Sequence, residues 1–177
     1  MRVCFSVDTE SSTVCAVTTS PTRRYRTISN SEFDASVEAV WQLWANPRLL
    51  ERWWGPPTYP ATVDLHDLTP GGKVTYFMTG PEGDKHGGYF NIVSVDAPTR
   101  LEFEDGFASG EDGTPNEKMP VTHVVVAIEP VGAKTRMLIT STFASADAMA
   151  QLMEMGMDEG MREAMAQIDA LLAEVSA

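Results

Sequence analysis

The C-terminal segment carries the strongest hydrophobic pattern in the chain. Between residues 145 and 175, apolar side chains recur at intervals of three and four, which is the spacing of one face of an α-helix. The pattern predicts an amphipathic helix of about 25–30 residues, or about 40 Å. Ser145 ahead of Asp147 marks its start, because Ser is a good N-cap and a carboxylate stabilises the first turn. The apolar face comprises Met149, Leu152, Met153, Gly156, Met157, Gly160, Met161, Ala164, Met165, Ile168, Leu171, Leu172 and Val175.

Two features of this face are unusual. Methionine recurs at every fourth residue from Met149 to Met165, and Met is a flexible side chain common at adaptable binding surfaces. Gly156 and Gly160 lie inside the predicted helix, where each costs about 1 kcal/mol relative to Ala. They would allow close approach by a sheet, allow a bend, or leave room for a ligand. An ordinary core face is the simpler interpretation of the stripe, and a face that lines a ligand site is the alternative.

Most of the chain before this helix alternates between apolar and polar residues, which predicts β-strands separated by Gly- and Pro-rich turns. The exception is a pair of short helices near the start. Apolar spacing predicts one from about Ser36 to Ala45, and Asn46 followed by Pro47 starts the second, which Gly55 ends. The predicted strands are Tyr25 to Phe33, Ala61 to Leu68, Val74 to Thr79, Tyr89 to Val95, Arg100 to Glu104, Val121 to Glu129 and Thr135 to Phe143.

Short strands in series with short connections predict an antiparallel sheet whose helices are segregated to its ends. The predicted fold class is therefore α+β: a curved antiparallel sheet of about six or seven strands wrapped around a long C-terminal helix, with two short helices after the first strand. Residues 23–177 are expected to form a single domain. Residues 1–22 are expected to be a leader, either disordered or carrying an extra strand.

Charge and cysteine content narrow the function classes. The chain has 13 basic and 25 acidic residues, for a net charge of −12. Such a surface repels phosphate backbones and anionic lipids, so we expect neither nucleic-acid binding nor membrane binding. The two cysteines, Cys4 and Cys15, are too few for a disulfide framework, and no long apolar run predicts a signal peptide or a membrane span. A cytoplasmic protein is expected.

A series of short motifs, in a characteristic order, runs from about Arg24 to the C-terminus. It includes Phe33-Asp34-Ala35, Val40-Trp41, Asn46-Pro47, Trp53-Trp54-Gly55-Pro56-Pro57, Pro70-Gly71-Gly72, Arg100-Leu101-Glu102-Phe103, Asp105-Gly106-Phe107 and Met155-Gly156-Met157. In these residues the chain resembles the bacterial homologues of the activator of the Hsp90 ATPase, within the START/Bet v-like (SRPBCC, polyketide cyclase-like) helix-grip superfamily. The resemblance implies a cavity between sheet and helix suited to apolar or amphipathic small molecules. It implies no single activity, because this superfamily includes binders, transporters and enzymes.

The residues themselves show no catalytic or metal-binding constellation. His66, His86 and His123 are widely separated, and no Cys or His partners stand at metal-ligand spacing. The serines lack a nucleophile-elbow pattern, and the glycine-rich turns lack the Lys and helix that would hold a phosphate. We therefore expect no catalytic residue, no metal and no cofactor.

An enzyme remains the weakest of the alternatives. Glu102, Glu104 and Asp105 lie close together at a predicted strand edge, where two of them could face each other as an acid/base pair, although a solvated edge is the simpler interpretation. A cyclase or hydrolase would have Tyr76 and Tyr89 as its candidates, on the strength of the superfamily alone.

Ligand binding is the favoured function: non-enzymatic binding of a small hydrophobic or amphipathic molecule in a cavity between the sheet and the C-terminal helix. Alternation places Val74, Tyr76, Met78, Leu101, Phe103, Met137, Ile139 and Phe143 on the sheet's inner face. Two tryptophans lie where the short helices meet the sheet, and an indole N–H there would supply a polar anchor, although each is more simply a core residue. The predicted ligand-binding residues are Trp53, Trp54, Tyr76, Met78, Phe103, Phe143, Met153, Met157 and Met161.

The family name suggests another function, that of a co-chaperone-like protein-interaction module. Its acidic surface would then meet a basic face of a protein partner. The sequence shows no counterpart of the second, chaperone-binding domain that eukaryotic activators carry. Exposed edge strands allow a homodimer without requiring one.

Overall fold

A computed structural model describes residues 25–110 and 113–175, together with two short strands nearer the N-terminus. These are β1 (Val3–Cys4) and β2 (Cys15–Ala16), which pair antiparallel. The rest of the predicted leader, residues 1–22, lies outside the described residues, so its division from the domain stays a prediction.

The domain is built on a seven-stranded antiparallel sheet with the order β3-β9-β8-β7-β6-β5-β4. Strands β4 to β9 follow one another as neighbours, whereas β3, the first of the seven in sequence, pairs with β9, the last. This confirms the predicted α+β class and the upper end of the predicted strand number. The strands are β3 (Tyr25–Phe33), β4 (Ala61–His66), β5 (Lys73–Thr79), β6 (Lys85–Asp96), β7 (Arg100–Phe107), β8 (Thr122–Val131) and β9 (Lys134–Phe143).

Two short helices follow β3, as predicted. Helix α1 (Val37–Ala45) begins after Ser36, whose side-chain oxygen accepts a hydrogen bond from the backbone N–H of Ala39 at 3.1 Å. This N–H is one of the first-turn donors that have no partner inside the helix. Helix α2 (Pro47–Trp53) begins after Asn46, whose side chain caps it in the same way. Proline at the first helical position loses no hydrogen bond, because that N–H has no partner inside a helix.

The C-terminal helical segment covers the expected residues but is divided into three consecutive helices. They are α3 (Ala146–Glu154), α4 (Met157–Met165) and α5 (Ile168–Val175). Ser145 caps α3, as predicted. Between α3 and α4 the chain turns at Gly156, whose φ of 84° lies in the left-handed region that favours glycine. No helix in the described part of the chain is long and apolar enough to cross a membrane.

Strand register confirms the predicted inner face, because all eight side chains lie on the side that faces the helices. All of them except Met78 are buried. Helix α5 closes the core with Ile168, Leu171 and Leu172, and it packs against α2. The sheet and the C-terminal helices therefore share one hydrophobic core.

Two strands extend three or four residues beyond the sequence prediction, and both extensions contain glycine. Strand β6 begins four residues earlier and β7 ends three residues later. Within these extensions, Gly88 lies opposite Tyr76, and Gly106 lies opposite Tyr89. A Cβ at either glycine would come within 2.4 or 2.5 Å of the tyrosine ring, so only glycine leaves room for it. The two tyrosines lie on opposite faces of the sheet, Tyr76 on the inner face and Tyr89 on the outer.

Candidate functional site

Four of the predicted ligand-binding residues lie in one aromatic cluster at the centre of the core. Their ring centroids, and those of two further aromatic residues, lie 4.4–6.3 Å from their neighbours in tilted or edge-to-face arrangements. This cluster fills the centre of the inner face with side chains. Its members are Trp44, Trp53, Trp54, Tyr76, Phe90 and Phe103.

The two adjacent tryptophans differ in what their indole N–H groups do. The Nε1–H of Trp53 donates a hydrogen bond to the carbonyl oxygen of Leu43 at 3.0 Å. Trp54 is only 5% exposed, and its Nε1–H has no hydrogen-bond partner among the described residues. Its ring meets that of Tyr76 edge-on, with the centroids 6.3 Å apart. Trp53 is thus fully engaged in the core, whereas Trp54 keeps a buried donor unused, which is rare in native proteins.

Asp105 brings a carboxyl group to the same place. The Tyr76 hydroxyl donates to Oδ1 of Asp105 at 3.4 Å, a long hydrogen bond. The Asp105 side chain keeps some contact with solvent, but its carboxyl lies below the surface, and burial raises its pKa from 3.8 to about 7 against the opposing effect of the Tyr76 hydrogen bond. Burial also raises the pKa of Tyr76 well above 10.0, and the charge of Asp105 raises it further; the Trp54 N–H, which lies near the phenol oxygen but outside normal hydrogen-bond geometry, lowers it. We call Trp54, Tyr76 and Asp105 the inner polar cluster.

The prediction of a strand edge for the acidic residues is wrong. Strand β7 lies within the sheet, between β6 and β8. Glu102 and Glu104 face outward, where Glu102 pairs with Arg100 and His123. Asp105 faces inward. It therefore cannot form an acid/base pair with either glutamate.

The remaining histidines have separate structural contacts. A ring nitrogen of His66 hydrogen-bonds to the carbonyl oxygen of Trp44 at 2.9 Å, and His86 pairs with Asp84. Within residues 25–110 and 113–175, no three His, Cys, Asp or Glu side chains are grouped so as to hold a metal ion.

Three predicted ligand-binding methionines line a cleft between the C-terminal helices and the sheet. Met153 comes from α3, and Met157 and Met161 come from α4; on the opposite side lie hydroxyl groups of β3 and β9. The volume of the cleft is about 10 Å³, the space of about one water molecule. We call this the methionine cleft; it is lined by Thr27, Ser29, Ser141, Met153, Met157, Asp158 and Met161.

The floor of the methionine cleft is polar where an inner face is normally apolar. Ser29 and Ser141 are buried, and Thr27 lies directly opposite Ser141 in the β3–β9 register. Asp158 adds a carboxylate, with an Arg162 guanidinium nitrogen 3.5 Å away. The cleft therefore offers hydroxyl groups on one side and polarizable thioether groups on the other, which is an amphipathic lining.

Helix α4 covers the sheet loosely at its start and tightly at its end. Met157 and Met161 are half-buried, whereas Met165, one turn further on, is buried in the core. A Cβ at Gly156 or Gly160 would meet no atom within 4 Å, so neither glycine brings the helix close to the sheet. Of the three roles considered for these glycines, Gly156 provides the bend, and Gly160 faces open space.

The tight end of α4 lies beside the inner polar cluster. The Gln167 side-chain nitrogen donates to the carbonyl oxygen of Gly55, the residue after Trp54, at 2.8 Å. The side chain of Met78 also reaches Gly55: a Cβ there would lie 3.4 Å from its terminal methyl carbon. Because α4 has nine residues, it spans about 13 Å from the methionine cleft to this loop.

The nine predicted ligand-binding residues therefore do not form one site. Four belong to the aromatic cluster, Met78 lies beside it, and three line the methionine cleft. Phe143 is buried near the end of β9, opposite Thr122 and Tyr25 and two residues beyond Ser141 on the same face, but it is not among the residues that line the cleft. Which of the nine contact a ligand stays a prediction.

Comparison with known proteins identifies the family. Residues 34–173 match the model described as "Activator of Hsp90 ATPase homolog 1-like protein". The chain belongs to the activator of Hsp90 ATPase homolog 1-like family. This confirms the resemblance and the helix-grip architecture it implied. The fold of this Hsp90-activator-homolog-like family is that of a ligand-binding or co-chaperone-like domain.

Several solved structures are similar to this chain. A solution NMR structure from Arthrobacter aurescens is 52% identical with a TM-score of 0.80, covering 84% of this chain and 86% of that one. A crystal structure from Mycobacterium smegmatis is 49% identical with a TM-score of 0.76, covering 83% and 90%. A solution NMR structure from Staphylococcus epidermidis is 28% identical with a TM-score of 0.75, covering 87% and 93%. Comparison with curated proteins finds no match.

In this member of the Hsp90-activator-homolog-like family, the sequence interpretation did not predict the inward position of Asp105 or the place of Ser29 and Ser141 in a site. Asp105 carried a detectable signal, because it alternates in phase with Leu101 and Phe103 and so belongs on the inner face. Ser29 and Ser141 are less conspicuous, since serine is common on either face of a strand. Their shared position becomes evident only once β3 is known to pair with β9.

Proposed function

We propose that this domain binds a small amphipathic molecule in the methionine cleft, between α4 and the inner face of the sheet, without catalysing a reaction on it. The observation that carries this proposal is the pairing of a thioether wall with a buried hydroxyl floor where the helical cover is interrupted. Apolar side chains usually fill the inner face of a closed core, so hydroxyl groups at this position favour a surface that meets the polar part of a ligand.

The two sides of the cleft contribute different interactions with the ligand. Burying apolar ligand surface against the methionines contributes about 25 cal/mol per Å². The hydroxyls of Thr27, Ser29 and Ser141 orient the polar end of the ligand by hydrogen bonding. Because methionine side chains adapt their shape, we expect selectivity for a chemical class rather than for one molecule.

A ligand larger than a water molecule requires α4 to move away from β3 and β9. The chain is interrupted at both ends of α4, and its first two methionines are only half-buried. Helix α5, by contrast, is held by its buried face and by the ion pair between Arg52 and Glu174 at 2.6 Å. We infer that α3 and α4 open while α5 stays in place, as a hinge motion.

Native mass spectrometry tests this proposal on the gently purified protein, followed by denaturing mass spectrometry of the released material. Three forms are compared: the natural chain, Met157→Trp, which places a large side chain in the cleft, and Met155→Trp. Met155 is 55% exposed and does not line the cleft, so it is the matched control. We expect a bound small molecule in the natural chain and in Met155→Trp, and its loss from Met157→Trp.

Titration with Nile red, an uncharged amphipathic dye, covers the case of a ligand lost during purification. Saturable binding to the natural chain that is lost in Met157→Trp but kept in Met155→Trp supports the cleft. Equal binding to all three forms, or neither a bound mass nor saturable dye binding in the natural chain, overturns the proposal.

A further inference from the structure

The inner polar cluster places three polar groups in a region that is otherwise packed with aromatic rings. An indole N–H, a phenol and a carboxyl group lie together among buried aromatic rings, and the indole N–H lies near the Tyr76 oxygen without forming a hydrogen bond of normal geometry to it or to any other described residue. Buried polar groups in native proteins are normally paired, so an unused donor beside two further polar groups points to a ligand atom. The long 3.4 Å contact between Tyr76 and Asp105 indicates that the phenol, too, can exchange its partner for a better one.

Three separate elements converge to build this cluster. Trp54 lies at the end of α2, Tyr76 on β5 and Asp105 on β7. The Tyr76 ring lies over Gly88, so its hydroxyl is held at one position above the sheet. Donors fixed in this way by rigid elements can recognise an acceptor atom with little loss of side-chain freedom.

The cluster lies within reach of a molecule bound in the methionine cleft. Asp105 on β7 is separated from Ser141 on β9 by two strand spacings and a two-residue step along the strand, or about 12 Å. Between them, Thr122 of β8 is buried on the same inner face, directly opposite Asp105. Helix α4 covers this distance, since it begins at the cleft and ends beside the Trp54–Gly55 turn.

We propose that the inner polar cluster binds an uncharged carbonyl oxygen carried by the apolar part of an amphipathic ligand, with the Trp54 N–H and the Tyr76 O–H as its donors. This inference rests on the proposed function: the same ligand lies beneath α4 and extends its carbonyl group from the methionine cleft to the cluster.

The chemistry of the three groups favours this class over others. A protonated amine has donors but no acceptor, so it would leave the Trp54 N–H, which is itself a donor, unpaired. A ligand carboxylate would place a second negative charge beside Asp105 in an apolar site. A carbonyl oxygen can accept from two donors at once. Because burial raises the pKa of Asp105 to about 7, its carboxyl holds a proton below neutral pH and then acts as a further donor.

Nuclear magnetic resonance of the ¹⁵N-labelled protein tests the proposal through the tryptophan indole N–H signals. The probes are 4-hexylacetophenone and 4-hexyl-α-methylstyrene, called acetophenone and α-methylstyrene below. Both are long enough to reach from the cleft to the cluster, and they differ only by a carbonyl oxygen in place of a methylene group. We expect acetophenone to shift the Trp54 N–H signal downfield and α-methylstyrene not to do so. The signals of Trp53 and Trp44, whose indole nitrogens donate to the Leu43 carbonyl and the Met137 sulfur, serve as controls in the same spectrum.

Methyl signals of Met153, Met157 and Met161, recorded in parallel, separate the two proposals. If both probes perturb these methyl groups but acetophenone leaves the Trp54 N–H signal in place, cleft binding stands and the carbonyl anchor is overturned. If neither probe perturbs the methyl groups, the proposed function and the anchor both fail.

Removal of the phenol oxygen gives a second measurement. The variant Tyr76→Phe is expected to change the ratio of the two dissociation constants by about threefold to tenfold in favour of α-methylstyrene, the effect of one hydrogen bond. Tyr89→Phe is the matched control, because Tyr89 also lies over a glycine but on the outer face. An equal change in both variants, or no change in Tyr76→Phe, overturns the anchor.

Discussion

The phenol end of Tyr76 lies against Gly88, its register partner on the neighbouring strand, so closely that a Cβ there would come within 2.4 Å of the ring. This contact holds the tyrosine hydroxyl beside Asp105 and Trp54. A counterpart lies on the other face of the sheet, where Gly106 lies against Tyr89 and a Cβ at Gly106 would come within 2.5 Å of the tyrosine ring. A substitution at Gly88 can therefore be compared with the matched substitution at Gly106.

We predict that Gly88→Ala and Gly106→Ala each destabilise the fold by about 1–3 kcal/mol, because the added methyl group overpacks a tyrosine ring. Only Gly88→Ala should also move the Trp54 indole N–H signal, since only Tyr76 faces that group. Urea unfolding measures the first effect, and the ¹⁵N spectrum measures the second. An unchanged Trp54 signal in Gly88→Ala would show that Tyr76 is not positioned by this glycine.

Asp105 predicts an unusual pH dependence of stability. In the folded protein it keeps its proton up to about pH 7, whereas in the unfolded chain it loses it near 3.8. The unfolded state therefore binds fewer protons between these values, and the contribution of Asp105 to stability falls as pH rises through this window. This loss of stability is absent below about pH 3.8. It is complete above about pH 7, where it amounts to no more than about 4 kcal/mol.

We accordingly predict that Asp105→Asn gains stability over the natural chain as pH rises from 4 to 7.5, because the amide cannot ionise. Urea unfolding of the two forms across this range gives the difference directly. Glu104→Gln is the control, because Glu104 is the adjacent residue on β7 but faces outward and is exposed. A constant difference for Asp105→Asn would contradict the buried environment described for this carboxyl.

Met157→Trp is predicted to fold with a free energy of unfolding within about 1 kcal/mol of the natural chain, because Met157 is half-buried at the edge of the helical cover. Overpacking of a fully enclosed core position would cost about 1–3 kcal/mol instead. Circular dichroism during thermal unfolding checks this, with Met155→Trp as the exposed control. If Met157→Trp unfolds the domain, the position is packed core and the ligand site loses its best support.

The two glycines of the C-terminal segment should respond in opposite directions to alanine. Gly156 has a φ of 84°, which alanine adopts only with strain, so Gly156→Ala is expected to destabilise by about 1 kcal/mol. Gly160 lies inside α4 and has no neighbour within 4 Å of a Cβ, so Gly160→Ala is expected to stabilise by about 1 kcal/mol. Urea unfolding of both variants provides the measurement. Stabilisation by Gly156→Ala would argue that the chain continues there as an uninterrupted helix.

Much of the fold could be predicted because local chemistry determines it. Ser36 and Asn46 are strong N-caps, and both begin helices as expected. Two-residue alternation placed Tyr76 and Phe103 on the inner face, since strand geometry leaves no other choice once one side is buried. Pairing of the first strand with the last depends on contacts between distant parts of the chain, and no local pattern specifies it.

The candidate site was harder to predict because it depends on exceptions to those patterns. Alternation alone places Asp105 on the inner face. Its acidic neighbour Glu104 favoured the interpretation that both residues belong to a solvated strand edge. Periodicity of the methionine stripe continues across the bend at Gly156, so it predicted one helix where the chain forms three. Whether a methionine such as Met161 is buried depends on how the helix meets the sheet, which periodicity does not determine.

The pairing of β3 with β9 also has a consequence for how this chain folds. Thr27 meets Ser141, more than one hundred residues later, so the sheet is completed only when two remote ends of the domain find each other. Contacts of this kind slow folding, because the entropy of closing a large loop must be overcome before the contact forms. Strands β4 to β8 can assemble earlier by successive hairpins. On the ribosome, β3 would wait without its partner until β9 had emerged, and the methionine cleft, which lies between β3, β9 and α4, would be the last part of the domain to take shape.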